Sequence, residues 1–208
     1  MNHVTAKFLC VDFQHDFTTE HGAHFQPRPC VHFINHELVP FFRTHQLLMA
    51  EIISDYRQPR PGHRGHFCQP GTEGYQSNLP ADVKEAPVWI KAANSPLWTR
   101  ENIGQATKPP GIPYQDPALF GQWLEDVVGR PDNVDVILGG LTIDRCVLAT
   151  AQELDWRGYR VFVLEEAVDS YSGNQDEKRH ILHGSILNNW ATPIRWEDCR
   201  KRLWPQTL

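Results

Sequence analysis

Residues 134–164, VDVILGGLTIDRCVLATAQELDWRGYRVFVL, decide how this chain folds. Val134 to Leu138 is an apolar run of strand length, and Gly139-Gly140 interrupts it with a turn. Asp144 to Arg157 follows at helix length, and Gly158 closes it as a C-cap. Tyr159 to Leu164 is a second apolar run. Strand, turn, helix and strand in about thirty residues make a βαβ unit. Such units imply a parallel sheet covered by helices on both faces, with right-handed crossovers.

The rest of the chain continues this alternation. Ala6 to Val11 reads as a buried strand ending at Asp12, and Val31 to His45 has apolar residues at helical spacing. Gln46 to Ser54 is a strand ending at Asp55, and Val88 to Ile90 a short strand ending at Lys91. Residues 57–80 and 99–115 are rich in Pro and Gly and read as long loops. Asp116-Pro117 opens a helix that runs to about Val128, with Asp116 as N-cap and Pro117 at the first position. Gln175 to Trp190 reads as a helix and Thr192 to Trp196 as a final strand. The expectation is one α/β domain spanning residues 1–208.

Bulk properties narrow the function classes. The 208 residues carry a net charge of -5, so the basic footprint of a nucleic-acid binder is missing. No apolar stretch reaches the ~18 residues of a membrane span, and the opening MNHVTAKFLC lacks the pattern of a signal peptide. Five scattered cysteines form no C-x-x-C pair, which fits reduced thiols in a cytoplasmic protein. Neither a metal nor another cofactor is expected.

In parallel sheets, ligands bind beyond the carboxyl ends of the strands. Asp12, Asp55, Lys91 and the turn from Gly139 to Cys146 all fall there. Taken singly, Cys146 reads as a small buried hydrophobe, Asp12 as a capping group and Lys91 as a solvated lysine; their common placement suggests chemistry. A cysteine near a helix N-terminus is expected to ionise more easily, and free amides there can hold an oxyanion. Histidine is the usual base for a thiol, but none stands at an expected strand end, whereas Asp12 does.

These residues also carry a family resemblance. The chain resembles the isochorismatase-like cysteine hydrolases, which include nicotinamidases and N-carbamoylsarcosine amidases. Asp12-Phe13-Gln14-His15-Asp16-Phe17 is similar to the family's D-x-Q-x-D-F, and Cys68-Gln69-Pro70-Gly71-Thr72-Glu73-Gly74 to its C-x-x-G-T-x-G loop. Lys91 follows a short strand, with Asn94-Ser95 near the family's D-S. The stretch from Gly140 to Ala151 resembles G-x-x-T-x-x-C-V-x-x-T-A, with Thr142 one place early. The resemblance implies a three-layer α/β/α fold with six parallel strands in the order 3-2-1-4-5-6. It also implies Asp12, Lys91 and Cys146 as a catalytic triad. A cis peptide would lie at Leu141-Thr142, and the Thr142 and Cys146 amides would form an oxyanion hole. Phe17 would line the pocket. A small-molecule substrate and a homo-oligomer are expected on the same ground, and Trp98, Trp196 and Trp204 are candidate contact residues.

The departures bear on function. Where family members that bind a metal have histidines after the second strand and before the C-x-x-G-T loop, this chain has Arg57 and Phe67. His63 and His66 lie nearby but out of register, and Arg57 would repel a cation. The other histidines, at positions 15, 21, 24, 32 and 36, read as surface or loop residues. The loop at 99–115 is either a lid or a subunit contact. The resulting expectation is a hydrolase of a small amide-like C–N bond. The rival readings are vinyl-ether hydrolysis and a silent binding module.

Overall fold

A computed structural model describes residues 5–58, 60, 65–103 and 115–205. Six strands form one parallel sheet: β1 (Thr5–Val11), β2 (Ala50–Ser54), β3 (Trp89–Lys91), β4 (Val134–Leu141), β5 (Arg160–Asp169) and β6 (Thr192–Ile194). Their order is β3-β2-β1-β4-β5-β6, as the family resemblance implies.

Side chains alternate along the central strands and feed two cores, because successive strand residues face opposite sides. Leu9, Val11, Val136, Leu138, Val161 and Val163 face one side. That side is covered by α4 (Phe120–Trp123), α5 (Cys146–Trp156), α6 (Gln175–His183) and α7 (Ser185–Asn188), which contribute Trp123, Leu154, Ile181 and Leu187. Phe8, Cys10, Ile137, Phe162 and Leu164 face the other side. There they meet Ile34, Leu38 and Phe42 from the helical rod of residues 29–44, and Cys199 and Leu203 from α8 (Trp196–Leu203). Three layers result. Among the described residues, no helix is long and apolar enough to cross a membrane.

The elements depart from the sequence reading in ways that have physical causes. The rod is α2 (Pro29–Phe33), a π-helical turn at Ile34–Leu38, and α3 (Val39–Thr44). Pro40 has no N–H to give and its ring crowds the preceding turn, so the ladder widens there. The helix expected at 116–128 is likewise a 3-10 turn, then α4, then a π-turn at Leu124–Val128; Asp116 caps it through a 2.9 Å bond from the Ala118 amide. The helix expected at 175–190 breaks at Gly184, whose backbone is extended. β2 starts at Ala50 rather than Gln46, and β3 covers Trp89–Lys91 rather than 88–90. Trp196 opens α8 instead of ending β6, and the sequence reading has no counterpart to α1 (His15–Thr18) or α8.

β4 and β5 both overrun their expected ends. β4 continues through the glycines to Leu141, and β5 runs to Asp169. Leu138 pairs with Val163 but Gly140 with Val168, so β5 bulges outward between them. The bulge leaves Glu165 and Glu166 half-exposed and returns Val168 and Asp169 to the ladder. Gly140, at φ +102°, lies so close to β1 that a Cβ would stand 2.0 Å from the Val11 carbonyl oxygen. Only glycine lets these two strands end side by side.

Candidate active site

The strand ends converge as the topology requires. Asp12 follows β1, Ser54 ends β2 with Asp55 and Tyr56 just beyond, Lys91 ends β3, and Cys146 is the first residue of α5 rather than one turn in. Asp12 holds φ at 51°, in the left-handed region that aspartate tolerates better than most residues. Its amide bonds to the Ile52 carbonyl at 2.8 Å.

Lys91 is completely buried, which overturns the reading of a solvated lysine. Its Nζ lies 2.7 Å from Asp12 Oδ2, 2.7 Å from Ser54 Oγ, 2.8 Å from Tyr56 Oη and 3.0 Å from the Ala93 carbonyl. The ammonium's three protons thus face four acceptors. Ser54 passes its own proton to Asp12 Oδ1 at 2.8 Å. Burial is the largest influence and works against the charge on Lys91, but Asp12 and Cys146 together outweigh it and the ammonium's pKa is raised. Removing either partner of such a buried pair typically costs ~3–5 kcal/mol.

Tyr56 links this pair to the thiol. Its Oη lies 3.0 Å from Cys146 Sγ while accepting from Lys91, and Asn94 Oδ1 stands 3.6 Å from Sγ on another side. The thiol differs from the sequence expectation of an easily ionised group. Burial pushes its pKa up to about 12, Lys91 pulls it down, Asp12 raises it and the Tyr56 hydroxyl lowers it. Its position at a helix start does not overcome the loss of water, so the resting group is a thiol whose proton must be taken up during attack. No backbone carbonyl among the described residues accepts from the Thr142 or Cys146 amide, and the Leu141–Thr142 peptide is cis.

The thiol opens onto a cavity of about 60 Å³ walled by Phe17, His24, Tyr56, Arg60, Phe67, Asn94, Thr142, Arg145 and Tyr171, among others. Since a water needs some 10–15 Å³ by this kind of measure, the space holds roughly four to six waters. Phe17 meets Phe67 edge-on with ring centres 5.8 Å apart. His24 is a half-buried wall residue rather than a surface one: its ring centre is 4.0 Å from that of Phe67 and its Nδ1 is 2.7 Å from Tyr171 Oη. Burial lowers its pKa.

The two remaining polar residues of the first motif hold the frame. Gln14 bonds in both directions to the Ser54 backbone and also donates to the Tyr75 carbonyl. Asp16 accepts from the Ala23 and Cys68 amides. Arg28, almost fully buried, ties the rim together by donating to the carbonyls of Phe17, His24, Ser170 and Tyr171. Where a metal would be sought, Asp55 is ion-paired with both Arg57, at 3.0 Å, and Arg100, at 3.4 Å, and Phe67 is part of the cavity wall. Two cations on one carboxylate leave a poor place for a third. His66 is exposed and His63 lies outside the described residues, as do positions 104–114 of the loop read as a lid or contact.

Tyr56, Arg28 and Arg60 are absent from the sequence reading. Tyr56 carried one usable signal, its place directly after Asp55 at a strand end.

No protein-family model matches the chain, and no curated protein matches it in sequence. Solved structures do share its architecture. N-carbamoylsarcosine amidase from Thermoplasma acidophilum superposes with a TM-score of 0.60 at 20% identity, over 92% of this chain and 96% of that one. Pyrazinamidase of Pyrococcus horikoshii, in complex with zinc, gives a TM-score of 0.62 at 18% identity, over 92% and 99%. An isochorismatase-like hydrolase from Alkaliphilus metalliredigens gives 0.63 at 17%, over 97% and 99%. The chain therefore has the fold of these hydrolases along nearly its whole length.

Proposed function

We propose that this protein is a cysteine hydrolase that cleaves a small amide-like C–N bond. The observation that carries the reading is the buried chain of contacts from Asp12 through Lys91 and Tyr56 to Cys146 Sγ, opening on a cavity sized for a small molecule. The amidases among the structures of the same fold agree with it.

In this reading Cys146 Sγ attacks the amide carbon as its proton passes to Asp12, and a C–S bond forms. The Thr142 and Cys146 amides receive the oxyanion. Collapse breaks the C–N bond, with Asp12 returning the proton to the leaving nitrogen. Water, deprotonated by Asp12, then attacks the thioester; the acid leaves and the thiol is restored. Lys91 stays charged throughout and offsets the negative charge as it moves between carboxylate and sulfur. Tyr56 donates to sulfur as it becomes anionic. A thiol with a pKa near 12 suits this scheme, since the proton moves in concert with attack.

Residues Arg57 and Arg100 around Asp55 support a metal-free reaction. Five unpaired cysteines fit a reducing compartment, and we place the protein in the cytoplasm on that ground. The test is ammonia release from a panel of small amides, with isochorismate included for vinyl-ether cleavage. Turnover of an amide that Cys146→Ala lowers by ~10⁴-fold or more is the expected result. Cleavage of isochorismate alone would overturn the reading.

A further inference from the structure

The wall of the cavity holds a cation with no counter-ion among the described residues. Arg60 packs against two aromatic rings, its Cζ 3.9 Å from the Tyr56 ring centre and 4.9 Å from that of Phe67. Its Nε and Nη2 are buried, and neither has a hydrogen-bond partner among the described residues. The neighbouring arginines each have a carboxylate or carbonyl partner. Arg57 and Arg100 are on Asp55, Arg145 is 3.5 Å from Asp144 while stacked on Tyr171, and Arg28 is on four carbonyls.

Buried donors on a charged group are costly to leave unsatisfied, and native proteins rarely do so away from a ligand site. The contacts with Tyr56 and Phe67 hold the guanidinium at the cavity wall. The partner that matches two parallel donors on a planar cation is a carboxylate. Tyr56 touches both Arg60 and Cys146 Sγ, so any molecule seated on the arginine also lies beside the thiol.

We propose that the substrate is a compact amide bearing a carboxylate, with the carboxylate on the free Nε and Nη2 of Arg60 and the amide carbonyl at Cys146. This rests on the amide-cleaving reading above and narrows it to anionic substrates.

The test compares malonamate with malonamide, and succinamate with succinamide, since each pair differs only in carboxylate against carboxamide. The wild type should favour the acid of a pair by roughly 10- to 100-fold in kcat/KM, the range set by hydrogen bonds to charged groups. Arg60→Gln should bring that ratio close to one. Arg60→Lys, which keeps the charge but loses the fork, should fall between. A wild-type ratio near one, or an unchanged ratio in Arg60→Gln with native circular dichroism, would overturn the proposal. If none of the four is hydrolysed, calorimetry with malonamate and succinamate on Cys146→Ala decides. Binding weakened tenfold or more by adding Arg60→Gln would uphold the anion site and remove the amidase reading; no binding of either would remove the site.

Discussion

In the proposed mechanism Asp12 and Lys91 work as one group, because each is buried against the other's charge. Asp12→Asn and Lys91→Met should each nearly abolish kcat/KM, and the double change should cost little more. A cycle in which the two losses multiply, with fold checked by circular dichroism, would contradict the pairing. A second expectation concerns the thiol. Iodoacetamide should label Cys146 before the other four cysteines, which are fully buried away from the cavity. Because its pKa is raised to about 12, the thiolate fraction and the labelling rate should climb roughly tenfold per pH unit from neutrality upward. Tyr56→Phe removes a bond that favours the thiolate, so labelling should slow at every pH below that value. Equal or faster labelling would show that Tyr56 does not serve the sulfur. Asp12, Lys91 and Cys146 are legible in the sequence because each ends a strand or opens a helix, where position predicts direction. Arg60 is not, since it lies in a Pro- and Gly-rich stretch whose spacing carries no facing information. The thiol's high pKa is hidden for another reason: a helix start can be inferred from residues, but the depth of burial around it cannot.

At the level of elements, the site depends on how closely β4 ends beside β1. Gly140 allows this, and Gly158 offers an internal control with positive φ but open space around its Cα. Gly140→Ala should cost about 3 kcal/mol or more, whereas Gly158→Ala carries only the backbone term of about 1–2 kcal/mol. For a chain of this size each kcal/mol moves Tm by roughly 2–4 °C. Thermal melts should therefore separate the two variants by several degrees, and equal shifts would contradict the close-approach account. The alternation of strands and helices follows from apolar runs and helical spacing, so it is legible without structure, whereas the order of the strands is implied by the family resemblance. Element ends are less so. Glu165 and Glu166 resemble the end of a strand, and only the bulge in β5 shows how two charged residues sit mid-strand. The helical spacing read from Val31 to His45 runs through Pro40, and a π-turn at Ile34–Leu38 absorbs the proline.

As a whole molecule, the protein presents apolar surface that one subunit leaves uncovered. Trp156 is 71% exposed, and Trp98, Leu119 and Trp204 are exposed as well, whereas Trp196 packs within the subunit on Phe33 and Phe41. Exposed aromatic area of this kind marks contact surfaces. We expect light scattering at micromolar concentration to give a multiple of the 23.9 kDa chain mass, and a value of one chain would refute a homo-oligomer. In the proposed mechanism Cys146 forms a covalent acyl intermediate with an amide substrate. It is tested most directly by acid-quenching the reaction, with an amide from the panel that turns over, in its first turnovers and mapping adducts by mass spectrometry. The expected adduct is the acyl mass of that amide on the peptide containing Cys146, lost in Cys146→Ala. Turnover without any adduct that survives in Cys146→Ala, or an acyl group on another cysteine, would contradict it.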